Sequence, residues 1–452
     1  MTVPTRHDPR RATAGRTDPA SAGTDAAGSL QVESREQLVY LLTQAAELEH
    51  GLMCEYLFAQ WSLKRSTEEG VTAQQLERIR AWESAIEGVV MQEMLHLALA
   101  TNLLAAVGAA PHFDRPNFPI LSGWYPPGVQ IALVPFGELA LRHFIYLERP
   151  EGMVMEDAEG FRALDEAEPL RDGRALSALQ QDYATVSQLY HGIEDGFRRL
   201  VDRDGEDAVF LGPLRAQARA EAFRWPEIMK VTDLASVGRV VDHIVEQGEG
   251  ARGDWRTAHF GIFHGILDEL RAVRAADPAF EPARDVVAAY IDEPDDADAE
   301  VTLITDPFTT EVADLFDAVY ETTLQALTRY FVHSTETIAQ VTMLARTAKH
   351  LMAWGLRPLG IALTTLPIGP NVPGRRAGAS FRMVPSTFYY LPFRDAAWDV
   401  LLHRLTLIAS RAAELASRMP SPELASVAER MVVVRDELHA AMPAPRVAAR
   451  RR

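Results

Sequence analysis

The chain lacks several features that would assign it to a common class of protein. It has one cysteine, Cys54, in 452 residues, so no intramolecular disulfide can form and a thiolate-held metal cluster is excluded. It has no run of 18 apolar residues, and no apolar segment follows Arg10 and Arg11 near the N-terminus. We therefore expect no membrane span and no secretory or twin-arginine signal. These absences predict a cytoplasmic protein.

The chain also has fewer basic residues than acidic residues. The chain has 45 lysines and arginines against 63 aspartates and glutamates, a formal net charge of −18. Such a surface repels phosphate backbones, so we expect no nucleic-acid partner. Hydrophobic residues make up 47% of the chain, which indicates a globular protein. Only the ends depart from this composition, and we predict a disordered tail over residues 1–30 and a frayed basic tail over 443–452.

Apolar residues recur at helical spacing through most of the chain, and this predicts an all-α protein. Residues 35–275 contain five such helices, which we expect to form a metal-binding bundle. The dense prolines of 109–173 predict a long irregular crossover between the second and third helices. The predicted helices of this region cover residues 35–65, 74–107, 174–201, 232–248 and 255–275, with Thr232 or Asp233 as the N-cap of the fourth.

The second half of the chain also has helical spacing. An acidic stretch, 276–308, is predicted to be an exposed linker or a boundary between lobes. Beyond it, residues 309–442 are predicted to form a C-terminal helical region that packs on the bundle, with an irregular segment at 358–393. The helices expected in that region cover 311–332, 334–357, 394–418 and 422–440.

Charged residues on the apolar face of a helix are the strongest indication of chemistry. A carboxylate in such a position must be paired, protonated or bound to metal, because an unpaired buried charge is very costly. On the first helix, Glu49 falls on the apolar face. On the second, Glu93 and His96 do so at i,i+3 spacing, which lets a carboxylate and an imidazole reach one ion. An inward Glu-x-x-His is the ligand pattern of di-iron and di-manganese carboxylate proteins.

The remaining helices of the bundle offer similar residues. Glu194, Glu249 and His259 lie on the apolar faces of the third, fourth and fifth helices. Four carboxylates and two histidines suit two metal ions, most simply iron, with manganese or zinc as alternatives. Buried salt bridges, for instance to Arg198 or Arg239, would explain the same pattern without metal. Possible second-shell or alternative ligands are His50, Tyr56, His191 and Glu246, and Tyr56 could equally be a packed core residue.

Short motifs at these positions resemble one ferritin-like family, the family that includes the iminophenylpyruvate dimer synthases of violacein and related bisindole pathways. The resemblance runs from about 38 to 270 and, less closely, over 358–398. The motifs that carry it are Leu48-Glu49-His50, Gln92-Glu93-Met94-Leu95-His96-Leu97, Gly108-Ala109-Ala110-Pro111, Arg115-Pro116-Asn117-Phe118-Pro119, Pro135-Phe136-Gly137, Leu147-Glu148-Arg149-Pro150-Glu151-Gly152, Gln247-Gly248-Glu249-Gly250 and His259-Phe260.

The resemblance implies a ferritin-like four-helix bundle and an oxidative enzyme of secondary metabolism, which could dimerise an imine supplied by a pathway amino-acid oxidase. The chain departs from the named synthases because it is much shorter. Some related enzymes use haem, but no stretch here resembles a haem-binding motif, so haem is not indicated.

Our leading hypothesis is a metal-dependent oxidase or oxygenase of a small, amino-acid-derived or aromatic substrate, with dioxygen or peroxide as oxidant. The alternative is a non-catalytic protein of the same fold, either iron-binding and storage-like or a scaffold. A homo-oligomer is compatible with either hypothesis.

Overall fold

Helices dominate the structure, a computed structural model that describes residues 30–120, 125, 130–159, 161, 181–250, 254–294, 301–384 and 390–443. The predicted all-α class is confirmed, with one small sheet added. The α-helices are α1 (Arg35–Ser62), α2 (Ala73–Ala106), α3 (Glu138–Leu147), α4 (Val186–Asp204), α5 (Glu206–Val209), α6 (Ala220–Phe223), α7 (Leu234–Gly248), α8 (His259–Ala276), α9 (Pro307–Phe331), α10 (Ile338–Leu351), α11 (Arg357–Leu363), α12 (Arg394–Arg418) and α13 (Pro422–Ala440).

Local capping explains where the bundle helices begin. Ser34 and Thr72 precede α1 and α2, and each accepts from a backbone N–H three residues on, in a reciprocal capping box. Asp233 does the same for α7, so of the two predicted N-caps Asp233 is the one used. Thr185 caps α4, which therefore begins at 186 rather than at 174. The described residues just before it, 181–185, are not helical.

The bundle is built from packed helix pairs. The two long helices α1 and α2 lie against each other, α3 packs on α8, and α4 packs on both α1 and α7. The crossover was predicted to be irregular throughout, and this prediction was wrong for the residues that form α3. Prolines surround it on both sides, but residues 138–147 contain none, and their apolar positions are buried against the bundle.

A second correction concerns the segment predicted to be an acidic linker. Within it, β1 (Val286–Tyr290) is a largely buried strand that pairs in parallel with β2 (Thr302–Leu303) and β3 (Arg376–Gly378), in the order β2-β1-β3. The Val-Val-Ala-Ala-Tyr run is short and has no clear alternation. Tertiary pairing therefore determines its conformation, and the sequence pattern gave no strand signal.

A π-helical segment, Met352–Leu356, interrupts the single helix that was predicted over 334–357 and joins α10 to α11. Pro358, at the start of α11, explains the change. It has no N–H to donate to the carbonyl one turn earlier, so the regular α-helical bonding cannot continue through this turn. Helix α11 also extends into the segment that was predicted to be irregular.

One described helix, α2, is long and apolar enough to cross a membrane by length and composition alone, yet 78% of the qualifying stretch is buried inside the protein. Its apolarity is explained by its place in the core. The predictions for the two tails, 1–30 and 443–452, fall almost wholly outside the described residues.

Candidate metal centre

Two long helices bring the first three predicted ligands together. Glu49 of α1 and Glu93 and His96 of α2 are each at most 2% exposed, and their oxygen and nitrogen atoms lie within 4.8 Å of one another. Nδ1 of His96 is 3.1 Å from Oε2 of Glu93 and 3.5 Å from Oε2 of Glu49. The i,i+3 spacing of Glu93 and His96 therefore places both side chains in one group.

A second group shares Glu93 with the first. It consists of Glu93, Glu148 and His259, again buried and within 4.8 Å of one another. Nδ1 of His259 is 2.8 Å from Oε1 of Glu93 and 3.5 Å from Oε1 of Glu148. Glu93 thus presents one oxygen to each histidine, which is the arrangement of a carboxylate that bridges two ions.

A glutamine side chain contacts the outer ring nitrogen, Nε2, of each histidine. Nε2 of His96 lies 2.9 Å from Oε1 of Gln247, and Nε2 of His259 lies 2.9 Å from Oε1 of Gln92. An amide oxygen can only accept, so each Nε2 carries a proton, and each Nδ1 can bind an ion held by the carboxylates or, when protonated, donate to them. Metal-ligating histidines are oriented by this kind of outer hydrogen bond.

Two tyrosines orient the outer carboxylates. The hydroxyl of Tyr190 donates to Oε1 of Glu49 at 2.6 Å, and the hydroxyl of Tyr56 donates to Oε1 of Glu148 at 2.5 Å. Tyr56 also packs on Phe144 and Phe263. It is therefore a packed core residue whose hydroxyl also reaches Glu148.

Protonation of the cluster follows from burial and mutual contact. Burial raises the pKa of Glu49 to about 8, despite the opposing effect of His96. Burial alone would also raise the pKa of Glu93, but His259 and His96 bring it well below its usual value. Burial opposes the charged forms of the histidines, yet the carboxylates raise the pKa of His96 well above its usual value and that of His259 to about 9. Without metal, protons therefore hold the cluster together.

The donor set fits first-row metal ions. Three buried carboxylates and two imidazoles suit iron, manganese or zinc. Oε1 of Glu93 and Nδ1 of His259 have no properly angled hydrogen-bond partner among the described residues, although they lie 2.8 Å apart. Buried polar atoms left in this state are compatible with a site arranged for a ligand. A gap of about 20 Å³ lies beside the cluster, large enough for about one water-sized molecule.

The structure does not bring Glu194 into this cluster. Its carboxylate accepts from Arg198 at 2.8 Å, and the two side chains are 23% and 49% exposed, whereas the alternative had named Arg198 as a partner in a buried salt bridge. Tyr190, one turn earlier, takes the inward position instead. His191 is about half exposed and pairs with Glu151, so it also lies outside the cluster.

Glu249 lies at the edge of the site. It follows the last residue of α7 and lines the same gap as Glu49 and Glu93, but it belongs to neither metal-ligating group. Its Oε2 accepts from the backbone of Glu151, its Oε1 has no partner among the described residues, and burial raises its pKa to about 7. Glu246, on the same helix, does not line the gap.

Glu148 is the residue that the helical-phase argument missed. It is the C-cap residue of α3, inside the crossover that was read as irregular. A signal was present, because Leu141 and Phe144 precede it at i−7 and i−4, the spacing of one helical face.

His50 faces away from the cluster, as expected for the residue next to Glu49 on a helix. Its Nε2 lies 2.6 Å from the hydroxyl of Tyr320 in the C-terminal region. It is therefore a contact between the bundle and α9.

Comparison with known proteins identifies a family, two curated relatives and one solved structure that this chain resembles. The model of the ferritin-like family matches residues 42–268. The chain is 26% identical over 418 residues to the dichlorochromopyrrolate synthase of Lentzea aerocolonigenes, an alignment that covers 84% of this chain and 39% of that protein. It is 26% identical over 369 residues to the 2-imino-3-(indol-3-yl)propanoate dimerase of Chromobacterium violaceum, covering 78% of this chain and 34% of that protein. The chain thus spans less than half the length of these relatives. A ferritin-like protein from Caulobacter vibrioides has a similar structure, with a TM-score of 0.44, 20% identity, and coverage of 72% of this chain and 97% of that one.

Proposed function

Because the chain belongs to the ferritin-like family, we propose that it is a metal-dependent oxidase or oxygenase that uses two first-row metal ions, most simply iron. The ligands would be Glu49, Glu93, His96, Glu148 and His259. The observation that carries the proposal is the position of Glu93, whose two carboxylate oxygens face two different histidines.

The bound metal would supply a redox couple and open coordination positions for dioxygen or peroxide. The chain's own residues have separate tasks. Gln92 and Gln247 fix the proton on the outer nitrogen of each histidine, and Tyr56 and Tyr190 hold the outer carboxylates. The gap of about 20 Å³ suits a molecule as small as the oxidant.

Glu249 is suited to move a proton at this gap. Its Oε1 is buried beside the cluster without a partner among the described residues, and burial raises its pKa, to about 7 in the metal-free chain. Groups whose pKa is shifted toward the working pH are effective general acids and bases. We assign Glu249 to proton transfer, whereas the sequence had suggested a ligand.

The substrate class follows from the relatives. One is named as a dimerase of an indole-bearing imine and the other as a dichlorochromopyrrolate synthase. We propose that this chain oxidises a small aromatic or amino-acid-derived molecule, and that oxidative coupling of an imine is the first reaction to test. An amino-acid oxidase would then supply the substrate.

The test is turnover by iron-loaded protein. The protein would be loaded anaerobically and given an amino-acid oxidase with an aromatic amino acid, then dioxygen or peroxide. Coupled or oxidised products should form with the parent chain and disappear in Glu93→Ala and His96→Ala. Glu194→Ala is the matched control, because it removes a carboxylate of the same bundle that the structure places outside the cluster. Full turnover in the two cluster variants would disprove the proposal, and metal uptake without any turnover would favour the storage or scaffold function.

A further inference from the structure

A large cavity lies on the other side of the α1–α2 pair from the metal centre. Its volume is about 580 Å³, within the range of small-molecule sites in proteins. The walls come from α1, α2, α9, the π-helical segment and the loop after α6. Apolar and aromatic side chains form most of them, including Met53, Trp61, Met94, Phe331, Met352 and Leu356.

Helical geometry separates this cavity from the metal centre. On α2, the ligands Glu93 and His96 face the metal gap, whereas Met94 and Leu97 face the cavity. These neighbours are 100° apart around the helix axis, so α1 and α2 form one wall with a different site on each side. A molecule in the cavity would therefore lie apart from the metal cluster.

The walls show three features of a binding site. Methionines from α1, α2 and the π-helical segment supply flexible apolar surface that adapts to a ligand. A π-helical turn is rare and is frequently found at functional sites. In addition, Trp61 is only 2% exposed, and its indole N–H has no hydrogen-bond partner among the described residues.

Positive charge collects where the cavity meets solvent, although the whole chain carries −18. Arg224, Lys349 and Arg357 line this rim, with Glu87 and Glu227 as the acidic members. Glu87 is already paired with Arg357, at 2.6 Å. Arg224 and Lys349 therefore outnumber Glu227, and the described residues give neither of them an ion pair.

Lys349 is held in place at this rim. Its Nζ donates to the carbonyl of Phe223 at 2.6 Å, next to Arg224 in the chain. Burial, and then the neighbouring charge of Arg224, lower the pKa of Lys349. An anion between these two cations would relieve their repulsion.

From these observations we propose that the cavity binds an amphipathic organic anion, with its apolar body among Trp61, Met94 and Met352 and its single carboxylate or sulfonate at Arg224 and Lys349. The site needs no metal, and it is independent of the proposed oxidation.

The probe pair is 2-naphthoate and its neutral counterpart 2-naphthylmethanol, followed by calorimetry and by quenching of the fluorescence of Trp61 and Trp225. Naphthoate should bind with about one site per chain and roughly tenfold more tightly than the alcohol, the factor expected for one charge-assisted contact. Lys349→Gln should remove most of this preference. Lys230→Gln, an exposed lysine that does not line the cavity, should leave it unchanged.

A second variant tests the location. Ala98 lines the cavity and is half-buried, so Ala98→Phe should fill the space and weaken both probes at least tenfold. If that variant does not fold, the comparison of Lys349→Gln with Lys230→Gln decides alone. Unchanged binding in both Lys349→Gln and Ala98→Phe would overturn the proposal.

The metal-free Glu93→Gln variant separates this site from the metal centre. It should bind naphthoate as the parent does, even if the chain has no oxidase activity at all. Loss of binding in Glu93→Gln would place the probe at the metal centre and contradict the proposal.

Discussion

At the scale of single residues, the orientation of the two histidines depends on glutamines in the neighbouring helices. Gln247 lies at the end of α7 and reaches His96 on α2, so it also ties two helices together. We expect Gln247→Ala to weaken metal binding 10–100-fold, the usual effect of removing an outer partner of a ligand. Gln74→Ala, an exposed glutamine on α2, is the control and should bind as the parent does. Equal affinity in both variants, measured by competition with a chelating dye, would show that Gln247 has no orienting role.

A second test at this scale compares two glutamates, one that was predicted to be a metal ligand and one that was not. Glu148, which helical phase did not identify, completes one group that could hold a metal ion, whereas Glu194, which was predicted to be a ligand, pairs with Arg198. Glu148→Ala should therefore lose about half of the bound metal, and Glu194→Ala should lose none. Elemental analysis of both variants measures this difference. Metal loss in Glu194→Ala alone would contradict the structure.

These residues show how far the sequence identifies the site. Helical phase predicted that Glu49, Glu93, His96 and His259 point inward, and the structure brings them together, because each lies on a regular helix with a recognisable apolar face. Their role as metal ligands stays a prediction. Helical phase was not applied to Glu148, because the dense prolines around it predicted irregular structure where the short helix α3 forms. It failed for Glu194, which was predicted to lie on the apolar face, because Arg198 at i+4 offers its carboxylate a salt bridge at 2.8 Å.

At the scale of elements, α9 carries a buried carboxyl group that the proposed chemistry does not use. Asp317 is 6% exposed, its Oδ2 has no partner among the described residues, and burial raises its pKa well above the usual value. The folded chain therefore holds a proton that the unfolded chain releases. The resulting cost is absent below the unfolded pKa of about 4 and grows as the pH rises until the folded-state pKa is passed.

Asp317→Asn should remove this cost, because an amide cannot ionise. We expect the variant to be more stable than the parent at pH 8, by about 1–3 kcal/mol, and nearly equal to it at pH 4. Thermal unfolding of both proteins across this pH range measures the difference. A variant less stable than the parent at pH 8 would show that Asp317 is ionised and well solvated in the fold.

The elements also differ in how well the sequence defines them. The long helices α1, α2 and α12 were predicted within a few residues, because apolar residues recur at helical spacing along each of them. The strand β1 was missed, because its partners lie elsewhere in the chain and only the folded protein brings them together. The π-helical turn was missed for a different reason, because a period of 3.6 was assumed up to Pro358.

At the scale of the whole molecule, the proposed metal centre would join helices from distant parts of the chain. Glu49 is on α1, Glu148 follows α3 and His259 begins α8, so ions that bind them stabilise the folded bundle. With free metal at about 100 times its dissociation constant, binding should add about 2.7 kcal/mol per ion to the free energy of unfolding. The Tm of the parent chain should rise accordingly on addition of Fe²⁺ under anaerobic conditions, and that of Glu93→Ala should not. An equal rise in both proteins would indicate binding elsewhere.

The metal content of the chain tests most directly whether the buried cluster holds two metal ions. The parent protein and Glu93→Ala would be loaded with Fe²⁺ anaerobically, desalted and analysed for iron per chain, with circular dichroism to confirm that both are folded. Because Glu93 faces both histidines, we expect about two ions in the parent and a loss of both in the variant. A well-folded parent chain without stoichiometric metal would contradict this expectation and would leave the cluster as a set of buried, proton-linked ion pairs.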